Sequence, residues 1–496
     1  MRIDSRAALL LLLCTPLFGQ RIDDVPHAAA VTEMTPATLD ELAREAVMTP
    51  LGEHREKPRG IVAAAKGGPG EAIVADLVSA TGAAAAPPVT LGFRASFDPL
   101  PSATMVYDPA DASGAVGPRH AVGAFNNSLS VHDRGGAQLS LLSIYQFWRE
   151  PGITDTLVYD PRVIYDAAND RWVLAMLTDT NVRQGVLLFA VTATGDPTGT
   201  WRRFRIPISA NPALTLDFTR MAMTLDQIVI TANEYDGDLS TGVDVFTIPK
   251  ATAYPEGTTP VPTKTRSGAL FDITPVASAD TAVRILTQEG DAIAQYQLAF
   301  GGLLATKRYV PPVSFGTGGA MCDQLGTTRP VDCGDSVLHY ALLRDGVLWV
   351  VHSATDFSRS QIVVWKISGN AAKAFLIQDA TTDYAYPSIA VNRLGAALVG
   401  YSMLNSSMYP SAAYCYIDPA GNVSAPAMVK SGEDWYSDIR WGDYSATVVD
   451  PLDDTSFWTL QSYGTPAYNG TTHGTWGTWW SYVAVRGPQR VRAVRH

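Results

Sequence analysis

The sequence predicts an all-β fold, a seven-bladed β-propeller that follows a short, partly helical N-terminal leader region. Three observations carry this prediction. From about residue 93, short apolar runs alternate with turns rich in Gly, Asp, Asn and Pro. A strand–turn–strand pattern then recurs about every 47–65 residues. Hydrophobic residues make up 46% of the 496 residues and charged residues only 17%, so the chain can bury a large core.

The first 20 residues are typical of a secretory signal peptide. Arg2 and Arg6 precede a short apolar run, and small or turn-forming residues follow near Gly19 and Gln20. We therefore expect a secreted or periplasmic protein. Cys14 raises lipid anchoring as an alternative, but Leu13 occupies the position where a lipobox has Gly or Ala. No apolar run approaches the roughly 18–20 residues of a membrane span, so no transmembrane segment is predicted.

Residues 21–92 form an Ala- and Pro-rich leader region, which we interpret as a propeptide or as an arm on the main domain. Thr38 and Glu41 have the spacing of a capping box, which predicts a helix from Leu39 to Val47. A second helix is predicted over 71–79, and the run AAAAPP at 83–88 is typical of a linker. The propeller domain is placed at 93–486, and residues 487–496 form a basic tail.

The repeat is defined by the turn between the first two strands of each unit. Six such turns are visible, and the interval between the third and fourth is twice the usual length, which predicts a hidden unit over 271–298. The turns lie at Arg119, Asn169, Asp226, Asp280 (the hidden unit), Asp345, Asn392 and Asp453. One four-stranded unit cannot bury both faces of its sheet, so a ring is the natural arrangement. A large β-sandwich, or two sandwiches, is the alternative.

Three cysteines remain after signal removal. Cys322 and Cys333 flank a turn-rich stretch, and in an exported protein we expect them to form a disulfide. Cys415 lies in the strand-like run AAYCYI and is expected to be a buried apolar residue.

Several segments resemble secreted bacterial β-propeller proteins of unassigned function. They are DPRVIYDAANDRWVLAML (160–177), TATGDPTGTWRRFRIP (192–207), ITANEYD (230–236), DSVLHYALLRDGVLWVVHS (335–353) and RWGDYSATVVDPLDDTSFWTLQSYG (440–464). The run TGDPTGTW at 194–201 is similar to the Asp box of sialidase-type propellers, with one extra residue between Asp196 and Gly199. The resemblance implies fold and secretion, and the Asp box implies a structural turn. Neither implies a reaction.

Candidate ligand-binding residues open the units, because the first residues of an innermost strand lie near the central channel. They are Arg162, Arg220, His339, Arg440, Asp443 and Tyr444. Arginines that converge on one axis could hold an anionic or hydroxyl-rich ligand, or they could form salt bridges that close the channel. Glu234 belongs to an acidic loop, NEYDGD, that calcium could use, although the EF-hand pattern is missing. No other cofactor or metal is predicted.

Composition and motifs argue against several classes of function. Lys and Arg number 37 against 48 Asp and Glu, a net charge of −11 without basic clusters, which argues against nucleic acid as the partner. No GxSxG, P-loop or Rossmann motif stands in a suitable context. We therefore predict a monomeric extracellular binding module for a glycan or protein at the channel mouth. The alternative is a hydrolase or lyase on an acidic polysaccharide, with Arg162, Arg220 and Arg440 as carboxylate holders and Asp443, Tyr444 or Glu234 as reacting groups.

Overall fold

The computed structural model of the chain describes residues 26–44, 71–79, 90–100, 109–150, 155–180, 185–209, 211, 213–299, 302–312, 314–316, 319–355, 359–466 and 474–486. The predicted signal peptide (1–20), linker (83–88) and basic tail (487–496) lie outside the described residues. In the part of the chain that is described, no helix is long and apolar enough to span a membrane.

The described residues at the start of the chain form strands and one short helix. In chain order these are β1 (His27–Ala28), β2 (Thr32–Glu33), β3 (Ala37–Thr38), α1 (Leu39–Ala43), β4 (Glu71–Ser79) and β5 (Thr90–Phe97). Helix α1 has the predicted capping box, because the Glu41 amide donates to Thr38 Oγ1 and the Thr38 amide donates to Glu41 Oε2.

The remaining chain forms consecutive four-stranded antiparallel units, which we number in chain order. Unit 1 contains β6 (Ser113–Val116), β7 (His120–Ala124), β8 (Ser128–Asp133) and β9 (Gln138–Ser143), followed by α2 (Ile144–Phe147). Unit 2 contains β10 (Asp155–Asp166), β11 (Arg171–Thr180), β12 (Gly185–Thr192) and β13 (Thr200–Pro207). Unit 3 contains β14 (Leu214–Met223), β15 (Gln227–Asp236), β16 (Leu239–Pro249), α3 (Lys250–Ala253) and β17 (Thr263–Ser267). Unit 4 contains β18 (Thr274–Ser278), β19 (Arg284–Glu289), β20 (Ala292–Ala299) and β21 (Gly302–Val310).

A short hairpin separates units 4 and 5. It consists of β22 (Met321–Cys322) and β23 (Val331–Asp332). Unit 5 contains β24 (Leu338–Arg344), β25 (Val347–Thr355), β26 (Ser360–Ser368) and β27 (Ala371–Ile377). Unit 6 contains β28 (Asp383–Val391), β29 (Ala397–Asn405), β30 (Met408–Ile417) and β31 (Ala427–Lys430). Unit 7 contains β32 (Ala446–Val449), β33 (Phe457–Thr465) and β34 (Thr475–Arg486), and its fourth strand is β5 from the leader region.

The first strands of successive units contact one another around a closed ring. Strand β6 contacts β10, β10 contacts β14, β14 contacts β18, and β18 pairs in parallel with β24. Strand β24 contacts β28, β28 contacts β32, and β32 contacts β6 again. This arrangement is β-propeller-like and nearly all-β. Each predicted turn lies between the first two strands of a unit, including the turn near Asp280 in the predicted hidden unit.

The hydrophobic core lies between the units rather than inside a single sandwich. One cluster joins units 1 and 2 through residues such as Val122, Trp172 and Trp201. Another joins units 2 and 3 through Phe189 and Phe246. Each sheet buries both faces against its neighbours, which explains why strands such as β12 are buried along their whole length.

The leader strands add to the outer edges of the units. Strand β1 pairs with β17, and β2 and β3 pair with β13. Strand β4 pairs in parallel with both β21 and β27, so it bridges units 4 and 5. The predicted helix over 71–79 is therefore wrong, because the open strand edges on both sides give its backbone hydrogen-bond partners that local helix propensity cannot match.

The disulfide and the turn similar to an Asp box both have the expected structural form. Cys322 and Cys333 are bonded, with an S–S distance of 2.04 Å, and Cys415 is free and buried. In the turn, Asp196 accepts hydrogen bonds from the Thr198 amide (3.0 Å) and hydroxyl (2.7 Å). Trp201 is fully buried at the interface of units 1 and 2.

Candidate functional site

In several units the backbone has a similar bend where it approaches the channel axis. The residue at this bend has a left-handed conformation in several units, at Asp111 (φ 42), Asp160 (57), Phe218 (59), Asp272 (53) and Tyr386 (52). In β10, β14 and β28 this residue lies within a bulge of the strand. The carboxylate of one unit then accepts backbone N–H groups of a neighbour. Asp160 accepts from the Phe218 amide (2.7 Å), and Asp111 accepts from the Asp443 amide (2.8 Å). These bonds join neighbouring units at the axis.

Beyond this bend lies an axial cavity of about 200 Å³, which we call the polar chamber. Every unit contributes to its wall. Residues that line it include, from units 1 to 7, Ser113, Arg162, Arg220, Thr274, His339 with Tyr340, Ile389 and Thr447. Ring closure therefore brings together residues that are more than 300 positions apart in the chain. No Asp or Glu is among the described residues that line this chamber.

Arg162 is 5% exposed and is held from three sides. Its Nε donates to the Thr219 carbonyl (2.7 Å), and Nη1 donates to the Tyr340 hydroxyl (3.0 Å). The guanidinium carbon lies 3.5 Å from the centre of the Tyr444 ring, a close cation–π contact. These contacts fix the guanidinium in one orientation.

Arg220, from the neighbouring unit, is 3% exposed. Its Nη1 lies 2.6 Å from Asp272 Oδ1 in unit 4, and its guanidinium carbon lies 4.1 Å from the centre of the Phe218 ring. Within the described residues, its Nε and Nη2 are buried and have no hydrogen-bond partner. A guanidinium with buried, unused donors beside a cavity is suited to an additional acceptor.

His339 and Tyr340 of unit 5 complete the polar wall. Both residues line the chamber, and the register of their strand shifts between Leu338 and Tyr340. His339 Nε2 lies 3.2 Å from Ser353 Oγ, and the Tyr340 hydroxyl donates to the Ser445 carbonyl.

An aromatic cluster lies next to the chamber, near the residues where the first strands of the units begin. Phe218, Val337 and Tyr444 form a small buried cluster, and the two rings are stacked with centres 5.3 Å apart. Burial raises the pKa of Tyr444 well above its ordinary value, so this phenol stays protonated. Among the described residues its hydroxyl has no hydrogen-bond partner.

At the opposite end, the chamber continues into a wider cavity of about 760 Å³, which we call the apolar funnel. Val163, Ile164, Ala277, Leu342, Ile389 and Val448 line both cavities. The far end of the funnel reaches exposed residues in the first-to-second-strand turns, including Ala167, Ala279 and Asp345. The channel thus opens to solvent at the end where the turns between the first and second strands lie, which we call the hairpin end.

Arg440, Asp443 and Tyr444 form a continuous group, but Arg440 and Asp443 do not line the chamber. Arg440 Nη2 lies 3.1 Å from Asp443 Oδ2. Asp443 is 4% exposed, next to Asp111. Burial, and then the nearby Asp443 carboxylate, raise the pKa of Asp111 to about 6. This group connects unit 7 to unit 1.

Glu234 lies away from the channel, between units 2 and 3. It is fully buried, and its Oε1 accepts from Thr241 Oγ1 (2.7 Å) and Arg266 Nε (2.8 Å). A second buried pair, Asp244 and Lys264 (3.0 Å), lies in the same unit. In the described part of the chain, no group of three or more His, Cys, Asp or Glu is placed to hold a metal ion.

The structure thus brings Arg162, Arg220 and His339 to one chamber and places Tyr444 against it. Sequence reasoning missed Tyr340 and Phe218. Phe218 precedes Arg220 by two positions, and Asp160 precedes Arg162 by the same number. This shared spacing was a sequence signal that could have identified Phe218. Tyr340 lies at a register shift in β24, which no residue pattern in the sequence signals.

Comparison with known proteins gives distant likenesses only. No family model matches the chain, and no curated protein matches it. Trypanosoma rangeli sialidase in complex with sialic acid aligns at 12% identity with a TM-score of 0.37, over 69% of this chain and 60% of the sialidase. A protein of unknown function from Dyadobacter fermentans aligns at 10% identity with a TM-score of 0.36, over 68% of this chain and 100% of that one. A subtype N10 neuraminidase-like protein of a little yellow-shouldered bat isolate from Guatemala aligns at 9% identity with a TM-score of 0.29, over 56% of this chain and 97% of that one. This chain therefore spans about three fifths of the length of the sialidase.

Proposed function

We propose that the protein is a seven-bladed β-propeller that acts as an extracellular binding module, with units 1 to 7 as its blades. The contacts between successive first strands around the ring support this count. The Cys322–Cys333 disulfide supports an oxidising compartment outside the cytoplasm, in agreement with the predicted signal peptide.

The ligand we propose presents a small anionic or hydroxyl-rich group to the polar chamber, as part of a glycan or a protein. The observation that carries this proposal is the pair of buried arginines. Arg162 and Arg220 come from neighbouring units and line the same cavity, and Arg220 retains buried donors without partners in the described residues. A guanidinium binds carboxylates through parallel N–H donors.

The chamber favours binding over glycoside hydrolysis. Hydrolases of that kind use two carboxyl groups about 5–10 Å apart, and the described residues lining the chamber include no Asp or Glu. Tyr444 is protonated and stacked, so it is a poor base or nucleophile. A carbohydrate-active enzyme on acidic polysaccharide remains the alternative.

Calorimetric titration with glucuronate, and with glucose as the uncharged parent sugar, tests the proposal. We expect the acid to bind and the substitution Arg220→Met to weaken it about 10- to 100-fold, the scale of a charged hydrogen bond. Arg284→Met changes a partly exposed arginine in unit 4 that does not line the chamber; it is the matched control and should bind as the wild type does. If the acid binds no better than glucose, or if Arg220→Met has no effect, the anionic site is refuted. Release of sugar products from an acidic polysaccharide would favour the enzyme.

A further inference from the structure

The apolar funnel has the size and lining of a site for a small apolar group. Its volume of about 760 Å³ falls within the roughly 300–1,000 Å³ typical of small-molecule sites. Its wall consists mainly of aliphatic side chains from several units, such as Val163, Met223, Leu342 and Ile389. Charged residues lie only at the rim, where Arg344 and Asp454 form an ion pair. A long apolar chain would therefore be desolvated inside the funnel.

The funnel and the polar chamber form one path along the axis. In unit 2 this path runs from Arg162 in the chamber to Ala167 at the outer rim of the funnel. Five residues of extended strand span about 16 Å. A molecule that enters from the hairpin end would meet aliphatic side chains first and the two arginines last. The stacked rings of Phe218 and Tyr444 lie against the two arginines.

We infer that the channel binds amphiphilic monocarboxylates, with the alkyl chain in the apolar funnel and the carboxylate in the polar chamber. This inference rests on the anion-binding part of the proposed function. It replaces the glycan or protein group with an amphiphilic acid as the ligand, and it adds the direction of access. The carboxylate has available partners, because Arg220 Nε and Nη2 are buried and unpartnered among the described residues.

The alkyl chain supplies most of the affinity in this arrangement. Each methylene that leaves water is expected to tighten binding about fourfold. The carboxylate contributes orientation, because an acid group left in the aliphatic part of the channel would lose its hydration without gaining a partner. The preferred ligand is therefore an acid whose chain spans the funnel, and short acids should bind weakly.

The test is calorimetric titration with butanoate, hexanoate, octanoate and decanoate below their micellar concentrations, with decan-1-ol as the uncharged analogue. The affinity should rise about fourfold per methylene. Ala277→Phe fills the junction of the two cavities and should weaken decanoate at least tenfold while butanoate changes little. Leu342→Asn gives a second variant at the same junction, in case the first fails to fold. Ala420→Phe, on an exposed turn, is the matched control and should leave all affinities unchanged.

The outcomes separate this inference from the proposed function. If Arg220→Met weakens every acid equally but chain length and Ala277→Phe have no effect, the chamber binds anions and the inference about the funnel is wrong. If decan-1-ol binds as tightly as decanoate and Arg220→Met has no effect on either, the anionic function of the chamber is refuted as well. Rising affinity with chain length, lost in both junction variants, supports the inference.

Discussion

The ion pair between Arg220 and Asp272 offers the sharpest test of how the ring is held together. It joins units 3 and 4, and both side chains are largely buried, at 3% and 9% exposure. Asp272→Asn keeps the shape and tolerates the left-handed backbone at φ 53. It leaves the Arg220 charge buried without its partner, which is expected to cost about 3–5 kcal/mol of unfolding free energy.

That free energy converts to a measurable shift in melting temperature. Unfolding entropy near 2.1 cal/mol/K per residue gives roughly 0.8 kcal/mol/K for a cooperative ring of about 380 residues. Asp272→Asn should therefore lower the melting temperature by about 4–6 °C in scanning calorimetry. Arg220→Met should cost a similar amount, because it leaves the carboxylate unpaired. The double variant should cost much less than the sum of the two, because no buried charge remains without a partner.

The pair formed by Arg284 and Asp280 in unit 4 is a matched control. Its atoms are 2.8 Å apart, but the two side chains are 21% and 48% exposed. Breaking it should cost at most about 1 kcal/mol. The reasoning is refuted if Asp272→Asn melts with the wild type, or if the double variant loses as much stability as the two single variants added together.

Three further outcomes are expected. Replacing Cys322 and Cys333 by Ala should cost about 2–3 kcal/mol of stability, and adding reductant to the wild type should lower its melting temperature to that of the variant. Burial raises the pKa of Asp244 from 3.8 to about 7, so the native state retains a proton that the unfolded chain releases. The free energy of unfolding should therefore fall as the pH rises from about 4 to 7. Asp244→Asn should flatten this part of the plot of melting temperature against pH. Ala75→Glu, which places a charge on the buried face of β4, should lower the melting temperature clearly, whereas the same change at the exposed Ala72 should have little effect.

The sequence allowed the ring to be predicted because its signal is repeated. The turn between the first two strands recurs with Asp, Asn or Arg at a fixed place in every unit, so even a unit without a clear turn could be located from the interval around Asp280. The leader region lacks this support. Strand β4 contains Glu, Ala and Leu, which suit a helix locally, and only the edges of β21 and β27, more than 200 residues away, make it a strand.

The sequence predicted several residues of the candidate site, but not which charged side chains already have a partner in the fold. Arg162 and Arg220 were predicted near the axis because they are among the first residues of an innermost strand, and both line the chamber. Whether a charged side chain is already paired depends on which opposite charge the fold places beside it, and the sequence does not reveal this. Arg440 forms an ion pair with Asp443 in its own segment, and Glu234 forms one with Arg266 in its own sheet.

The channel is a property of the closed ring rather than of any one unit. Its polar chamber takes wall residues from units 1 to 7, and unit 7 is itself completed by β5 from the other end of the chain. The leader strands β1 to β4 meanwhile cover outer edges of units 2 to 5, where unpaired N–H and C=O groups would otherwise invite pairing with another chain. Strand β5 thus completes unit 7, and the leader strands β1 to β4 protect the rim of the ring. Because Arg162 and Arg220 can share one chamber only when the ring is closed, the same strand pairs that protect the fold also assemble the proposed ligand site.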